Sequence, residues 1–232
     1  MKPGPKPKGE IRRTWSPNLA YAIGLITADG YLSKDGRHMS FTSKDKALVA
    51  TFKKCLGLQT KLGQKFSGSG NLAYHTQFGD VLFYDFLREI GLLSAKSKTL
   101  GSLKIPRKYF RDFLRGYFDG DGSSYSYFDP VFPRSFRFYI SFTSASPKFI
   151  TWFREEMREV IGVKGFISKN KNNEYPQLKY AKTEAMIICK NMYANEDASR
   201  LKRKYRKILD AFRIIEKSRS GEIGRRAAFR AQ

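Results

Sequence analysis

The chain has 232 residues, of which 41% are hydrophobic and 15% aromatic, so it can bury a sizeable core and is not disordered as a whole. Its formal net charge is +23, and this excess favours a polyanion as partner, because each neutralised phosphate releases condensed counterions. No apolar stretch approaches the roughly 18 residues of a membrane span, and the first residues lack the apolar segment of a secretory signal. We therefore expect an intracellular protein without a membrane partner.

The predicted elements begin after residues 1–14, a segment rich in Pro, Gly, Lys and Arg that we expect to be a flexible basic arm. Ser16 and Pro17 are typical of a helix start, and the apolar run behind them predicts a helix that ends at Asp29. The next predicted elements are a hairpin around Asp35-Gly36, a helix over 46–57, strands over 61–67 and 71–78, and a helix over 80–91. Residues 92–100 leave this half as a basic segment.

The same order of elements then recurs in the second part of the chain. Its members are a helix over 107–121, strands over 123–128 and 136–144, a helix over 147–162, strands over 165–169 and 175–181, a helix over 183–193, and a basic exit over 201–207. The letters SFTS stand in both parts, at 40–43 and 141–144. This internal repeat predicts an α+β fold of two pseudo-symmetric αββαββα halves, residues 15–104 and 105–217, each with an antiparallel four-stranded sheet, followed by a polar tail over 218–232.

Each half opens with a helix whose end carries a carboxylate, Asp29 in the first and Asp121 in the second. Small residues recur four positions apart on these helices: Gly24, Ala28, Gly116 and Gly120. Such spacing lets two helix backbones touch, and two parallel helices packed in this way bring their terminal carboxylates together. Carboxylates added to the partial negative charge of helix C-termini suit a hard divalent cation with oxygen ligands. The alternative is that both Asp-Gly pairs are simple helix stops, which two equivalent copies in so basic a chain make the weaker interpretation.

The cysteines and histidines offer no second metal site. Cys55 and Cys189 are distant in sequence and lie in apolar helical patterns, which favours buried free thiols in a reducing compartment. With His38 and His75 as the two histidines of the sequence, no Cys/His zinc spacing is present.

The segments GLITADG, residues 24–30, and GYFDGDG, residues 116–122, resemble the two motifs of the single-chain LAGLIDADG homing endonucleases. The order of elements from about residue 16 to residue 210 is also similar to that family. The resemblance implies a site-specific enzyme that binds a long nonpalindromic duplex DNA and hydrolyses both strands, leaving short 3′ overhangs. It implies that Asp29 and Asp121 bind Mg²⁺ together with the carbonyls of Ala28 and Gly120. Mn²⁺ is expected to substitute, and Ca²⁺ to support binding without cleavage.

The resemblance also implies roles for residues around the two acids. A lysine at the exit of each half is expected near the scissile phosphates, which matches Lys96 and Lys204 in the repeated Leu-x-x-Lys pattern, although each is one basic residue among 44. Ser43 and Ser144 stand where relatives often carry a water-positioning Gln. Asp119 is expected at the end of its helix without binding metal, and Thr27 replaces the usual Asp in the first motif.

In such a fold the two sheets form a saddle over duplex DNA, and strand alternation predicts which side chains face it. The predicted DNA contacts are Tyr31, Ser33, His38, Ser40, Thr42, Lys65, His75, Gln77, Ser123, Tyr125, Tyr127, Arg137, Tyr139, Ser141, Thr143, Lys169, Gln177 and Lys179. Because the halves differ at most of these positions, we expect a monomer with a nonpalindromic target.

Three alternatives remain at this point. An intron RNA maturase of the same family would gain equally from the charge of +23, and the protein's own intron RNA is a candidate partner. A DNA-binding regulator that does not cleave would keep the motif helices as a scaffold, although here both acids are present. A ribosomal or chromatin protein would explain the charge but not the two acidic motifs.

Overall fold

The computed structural model describes residues 9–66, 70–94, 96–168 and 175–219, and of residues 96, 97 and 219 the backbone alone. The first half contains α1 Pro17–Asp29, β1 Gly30–Leu32, β2 His38–Ser43, α2 Lys46–Leu56, β3 Gly63–Phe66, β4 Leu72–Gly79, α3 Val81–Glu89 and α4 Lys96–Thr99. The second half contains α5 Phe110–Gly120, β5 Ser123–Phe128, β6 Phe136–Thr143, α6 Pro147–Glu156, β7 Phe166–Ser168, β8 Gln177–Tyr180, α7 Lys182–Met192 and α8 Lys202–Arg219.

Each half has one antiparallel four-stranded sheet, with strand order β1-β2-β4-β3 in the first and β5-β6-β8-β7 in the second. The two sheets therefore have the same topology, as the internal repeat predicts. One face of each central strand enters the core: Met39 and Phe41 are buried on β2, and Phe138 and Ile140 on β6. The predicted α+β fold of two equivalent halves is confirmed.

The helix starts and stops follow from local chemistry. Ser16 caps α1 by accepting a hydrogen bond from the N–H of Leu19 at 3.1 Å, and Pro17 occupies the first turn, where no N–H is needed. α2 ends at Gly57, whose φ of 69° lies in the left-handed region that glycine adopts without strain. These signals, which short sequence motifs supply, explain why the predicted bounds agree with the observed helices.

The centre of the molecule is the contact between α1 and α5, which packs the two halves together. α1 is buried from Leu19 to Thr27, so it is not an amphipathic surface helix but a core element. A Cβ atom at Gly24 would lie 2.2 Å from the Phe113 carbonyl oxygen, and one at Gly116 would lie 2.0 Å from the Tyr21 carbonyl oxygen. The two backbones are therefore too close for any side chain at these positions.

The structure differs from the prediction at both ends of the repeat. The basic exit expected after residue 201 is the start of the 18-residue helix α8, which runs past the predicted tail boundary at 218. Its buried residues Ile208, Ala211 and Ile215 recur at helical spacing, and Phe212 meets Phe138 edge to face at 6.2 Å. The sequence-based prediction missed this apolar stripe, because Lys and Arg residues surround it.

The structure also differs from the flexible arm predicted over residues 1–14, at Glu10 and Ile11. Ile11 is buried, and the N–H groups of Glu10 and Ile11 donate to Asp80 Oδ2 at 2.8 and 2.9 Å. Asp80 at the same time caps α3 by accepting from the N–H of Phe83. The chain is therefore anchored to the first half from residue 10, while residues 1–8 and the predicted tail from residue 220 lie outside the described part. No helix within the described ranges combines the length and hydropathy that crossing a membrane requires.

Candidate nucleic-acid and metal site

The two motif acids lie at neighbouring ends of the packed helices. Asp29 is the last residue of α1, Asp121 is the C-cap of α5, and both are exposed. A Cβ atom at Gly120 would lie 2.3 Å from Ala28 Cβ and 3.4 Å from Asp29 Oδ2, so the helices stay in contact up to the acids. The structure thus brings Asp29, Asp121, Ala28 and Gly120 to one place between the halves.

The electrostatics of this place reflect both carboxylates. Burial raises the pKa of Tyr117 well above its ordinary value, and the charges of Asp121 and Asp29 raise it further. Within the described ranges, no group of three or more His, Cys, Asp or Glu side chains is suited to a metal ion. A divalent cation here would therefore depend on two carboxylates with main-chain carbonyls, a set of hard oxygen donors that fits Mg²⁺ or Ca²⁺.

Lys204 lies directly behind the second acid and is 8% exposed. Its Nζ donates to the carbonyl oxygens of Phe118, Gly120 and Gly122 at 2.7, 2.9 and 2.7 Å. Phe118 and Gly120 belong to the last turn of α5 and Gly122 follows its C-cap, in the region where carbonyl groups lack donors from a next helical turn. Lys204 therefore holds the turn that carries Asp121. Its described hydrogen bonds all go to main-chain oxygens. The position beside scissile phosphates, which the family resemblance implies for Lys204, stays a prediction.

The charges of three acids and of Arg203 act on Lys204. Burial lowers the pKa of Lys204 to about 8, and the carboxylates of Asp119, Asp121 and Asp29 oppose that shift. Loss of its proton would remove a donor from the α5 turn and a positive charge from the neighbourhood of the acids. The pKa of Lys204 therefore depends on the charges of Asp119, Asp121 and Asp29.

Asp119 forms a second buried link between the halves. Its Oδ2 accepts hydrogen bonds from the Tyr21 hydroxyl and from the N–H of Leu201, both at 2.7 Å. Burial raises the pKa of Asp119 to about 6, although both hydrogen bonds favour the ionised form. Thr27, the equivalent residue of the first motif, instead donates to the Ile23 carbonyl of its own helix at 2.8 Å. Asp119 therefore faces away from the exposed acids and ties α5 to α1 and to the start of α8.

Ser43 and Ser144 have equivalent positions at the ends of β2 and β6. Each hydroxyl accepts a hydrogen bond from the N–H two residues on, Asp45 and Ser146, at 3.2 Å. Ser144 also lines a cleft of about 290 Å³ together with Asp121 and Ala28. Lys96 begins α4, but its side chain lies outside the described part, as does the whole of Lys169.

The predicted DNA face of the first half has the expected alternation. His38, Ser40 and Thr42 point away from the core on β2, and the register places Gln77 and His75 opposite Ser40 and Thr42. The other predicted residues of this half extend the same side or its rim: Tyr31, 61% exposed, with Ser33 and Lys65. His38 is held by Asp35, whose Oδ2 lies 2.6 Å from its Nδ1.

The second half presents a more aromatic face. Tyr139 stacks on Tyr125 and Tyr127, with ring centroids 5.1 and 6.3 Å apart, and Arg137 pairs with Asp129 Oδ2 at 2.9 Å. The remaining predicted contacts are exposed or half-buried, namely Ser123, Thr143, Gln177 and Lys179. Ser141 differs from the prediction, because it lies on this face but is 7% exposed between its strand neighbours Ser123 and Lys179. Its short side chain offers little surface to a partner.

Comparisons with known proteins agree with this architecture. A model of the LAGLIDADG-like domain matches residues 16–91 and 109–202, whereas the comparison with curated proteins finds no match. Among solved structures, the I-LtrWI LAGLIDADG homing endonuclease bound to target DNA is 14% identical, with a TM-score of 0.59 over 88% of this chain and 91% of that chain.

Two other structures share the fold. I-SmaMI, bound to uncleaved DNA target in the presence of calcium ions, is 14% identical with a TM-score of 0.56, over 90% of this chain and 93% of that one. Full-length DUF199/WhiA from Thermatoga maritima is 14% identical with a TM-score of 0.57, over 94% of this chain and 69% of that one. At these identities the similarity carries the fold alone. The family model, in contrast, matches both repeats and most of the chain, and the protein therefore belongs to the LAGLIDADG family.

Proposed function

We propose that this protein is a monomeric, site-specific endonuclease that binds a long nonpalindromic DNA duplex and hydrolyses both strands, leaving short 3′ overhangs. The observation that carries the proposal is the pair of exposed carboxylates, Asp29 and Asp121, at the touching ends of two buried helices. The chain as a whole, with a net charge of +23, attracts phosphate. The two neighbouring carboxylates repel it unless a cation lies between them and the phosphate. The homing endonuclease structures with the same fold contain target DNA, which supports duplex DNA as the partner.

A divalent cation would be held by Asp29 and Asp121 with the carbonyl oxygens of Ala28 and Gly120. When bound, it would supply Lewis-acid polarisation of the scissile phosphate and acidify a bound water. We propose Mg²⁺ as the natural ion and Mn²⁺ as a substitute. Ca²⁺ is expected to support binding without turnover, because it is a hard cation with looser coordination geometry. The calcium in the I-SmaMI complex with uncleaved DNA supports the use of divalent metal.

The chain's own residues would then divide the work of recognition and chemistry. The outward faces of β2, β4, β5 and β6 would contact base edges in the major groove, as two-stranded β-ribbons do. Arg and Lys elsewhere would hold phosphates and fix the register. Ser144, beside Asp121 in the same cleft, would orient a water, and Lys204 would keep the α5 turn in place. Lys96 is proposed to stabilise charge at the scissile phosphate.

A second candidate is a DNA-binding protein that does not cleave. It is favoured by Lys204, whose buried ammonium already neutralises part of the negative charge around the acids and occupies the Gly120 carbonyl. The intron RNA maturase remains a third candidate of the same fold. Fold similarity to both the endonucleases and DUF199/WhiA leaves the choice to experiment.

The test is cleavage of duplexes selected from a randomised library by the wild-type protein. Asp29→Asn and Asp121→Asn keep the side-chain shape, so each should abolish double-strand cleavage in Mg²⁺ while binding in Ca²⁺ is retained. Asp85→Asn, at an exposed acid of α3, is the matched control and should cut like wild type. Near-normal cutting by either motif variant would contradict the assignment of the site. Tight duplex binding by a wild-type protein that never cuts would favour the second candidate, and preference for structured RNA would favour the third.

A further inference from the structure

The hairpins that join the first two strands of each half end in the same kind of turn. Asp35 Oδ1 accepts from the N–H groups of Arg37 and His38, both at 3.0 Å. Asp129 Oδ1 accepts from the N–H groups of Val131 and Phe132, at 3.0 and 3.1 Å. Because the strands on both sides pair in the same order, the two tips occupy equivalent places at the end of the outward sheet faces.

The two tips differ in chemistry, although the second also carries the exposed Arg134. The first presents Lys34, Asp35 and Arg37, which are charged and exposed. The second presents three apolar side chains to solvent: Val131 is 76% exposed, Phe132 64% and Phe128 45%. Apolar side chains that are exposed next to one another on a protein surface often mark a binding site.

The apolar tip is ordered by its own hydrogen bonds. The N–H of Asp129 donates to the Ser135 carbonyl at 2.9 Å, and the N–H of Ser135 donates to the Phe132 carbonyl at 2.7 Å. Arg137 closes the loop on Asp129 Oδ2. A tip built in this way presents Val131 and Phe132 in a defined position before a partner arrives, so little conformational entropy is lost on binding.

The partner is identified by continuity with the proposed DNA face. The outward side of β5 and β6 carries the Tyr125–Tyr139–Tyr127 stack, and the tip extends that surface away from the acid pair. Lys34 and Arg37 on the tip of the first half suit phosphates, and the shared topology would then place the equivalent apolar tip along the other end of the duplex. In the major groove the apolar group that a base pair presents is the C5-methyl of thymine.

We propose that Val131 and Phe132 contact thymine C5-methyl groups at the outer end of the part of the target bound by the second half. This inference rests on the proposed function and adds to it a specificity element of the second half. It predicts a preference for thymine over cytosine there, and that 5-methylcytosine, which restores the methyl group, recovers part of the binding.

The experiment removes the methyl group from the DNA rather than from the protein. Thymines of a selected target are replaced one at a time by uracil, which keeps every hydrogen-bonding group, and binding is measured in Ca²⁺. At the outer positions of one end we expect wild type to bind about fourfold more weakly for each methyl group removed, since one buried carbon is worth about that factor. The double variant Val131→Ser/Phe132→Ser should bind thymine and uracil duplexes alike.

Ile187→Ser on α7, at another exposed apolar residue, is the control for a general loss of apolar surface and should keep the uracil effect. Melting temperature shows that the exposed substitutions leave the fold intact. If wild type binds duplex but no uracil substitution weakens it more than it weakens the double variant, the methyl assignment is wrong while the proposed function stands. If wild type selects no duplex at all, the proposed function fails, and this inference fails with it.

Discussion

The two halves share a topology but hold the ends of their motif helices by different contacts. In the first half Thr27 bonds within α1, whereas its counterpart Asp119 bonds across the interface to Tyr21 and to the N–H of Leu201. The first half closes with the four-residue helix α4, the second with the 18-residue helix α8. Lys204, on the first turn of α8, adds three hydrogen bonds to the end of α5.

The comparison distinguishes features that must be present in each half from contacts between the halves that one half alone can supply. Two acids and close helix backbones serve the site itself, so Asp29 matches Asp121 and Gly24 matches Gly116 in the two motifs. Fastening the halves together is a task that one side can perform. The second half does so: Arg203 pairs with Asp45 at 2.8 Å, and the Arg115 guanidinium lies over the Tyr21 ring, 5.4 Å from its centroid.

The helix contact should be the most sensitive shared feature. Even Gly116→Ala places a Cβ atom 2.0 Å from the Tyr21 carbonyl, and Gly24→Ala one 2.2 Å from the Phe113 carbonyl. Because backbone must move, each should cost at least the roughly 1–3 kcal/mol typical of overpacking. A shift of about 1 Å between the acids would cost about 100-fold in cleavage rate. Thermal melting and double-strand cutting are measured on one target.

Gly101→Ala is the control, since its Cβ would meet no atom within 4 Å and the residue has no positive φ. Similar losses for Gly24→Ala and Gly116→Ala are expected if the halves contribute equally to the contact. An unchanged melting temperature in either variant would show that the helices are not in contact at that position in solution.

The two exit lysines should behave differently when each is replaced by methionine. Lys204→Met removes the ammonium donor from three carbonyls at the α5 end, of which that of Phe118 still accepts from the N–H of Gly122 at 3.0 Å. We expect a loss of about 2–4 kcal/mol in the free energy of unfolding. Cleavage should fall as well, because the turn that carries Asp121 loosens. Lys96→Met is expected to lower cleavage without a matching loss of stability, because Lys96 is proposed to act on the scissile phosphate and not on the fold.

Urea unfolding and single-turnover cleavage separate the two outcomes. Lys204→Arg is the informative second variant: a guanidinium keeps the charge but cannot place three donors at the same point, so it should rescue little stability. Full stability of Lys204→Met would mean that its hydrogen bonds are dispensable and would return Lys204 to the role of a phosphate-facing lysine.

Much of the fold was accessible from the sequence because its signals are local. Ser16, Gly57 and the alternation of β2 and β6 each report on a few neighbouring residues, and the repeat joins them into one topology. The proximity of Asp29 and Asp121 also followed, since small residues at one spacing on two helices require a shared contact. The sequence-based prediction missed α8, because its apolar stripe is diluted by Lys and Arg residues.

The burial and the hydrogen-bond partners of Lys204 could not be predicted from neighbouring residues in the sequence. Its three acceptors lie 82 to 86 residues earlier in the chain, and nothing near Lys204 distinguishes a buried ammonium from a DNA-facing one. The same holds for Asp119 and Tyr21, whose hydrogen bond spans 98 residues and joins positions that are not equivalent in the repeat. Such partners are set by tertiary packing, which a single sequence does not encode in any short pattern.

A further expected effect depends on pH and concerns the Thr27 and Asp119 pair. Burial raises the pKa of Asp119 from 3.8 to about 6, so the folded state binds its proton more tightly than the unfolded state does. Its contribution to stability is full below about pH 4 and is lost as the pH rises to about 6, by up to ~3 kcal/mol for a shift of this size. Asp119→Asn keeps an acceptor for Tyr21 and Leu201 but does not titrate, so relative to wild type it should gain stability between about pH 4 and 6.

Urea unfolding in EDTA at each pH measures the difference in unfolding free energy between Asp119→Asn and wild type, in which the contributions of the other titrating groups cancel. Thr27→Ser, the control in the first half, should show a difference from wild type that does not vary with pH. A pH-independent difference for Asp119→Asn would mean that the Tyr21 and Leu201 hydrogen bonds offset the burial of Asp119 completely, so that the two halves would differ in their contacts but not in their electrostatics.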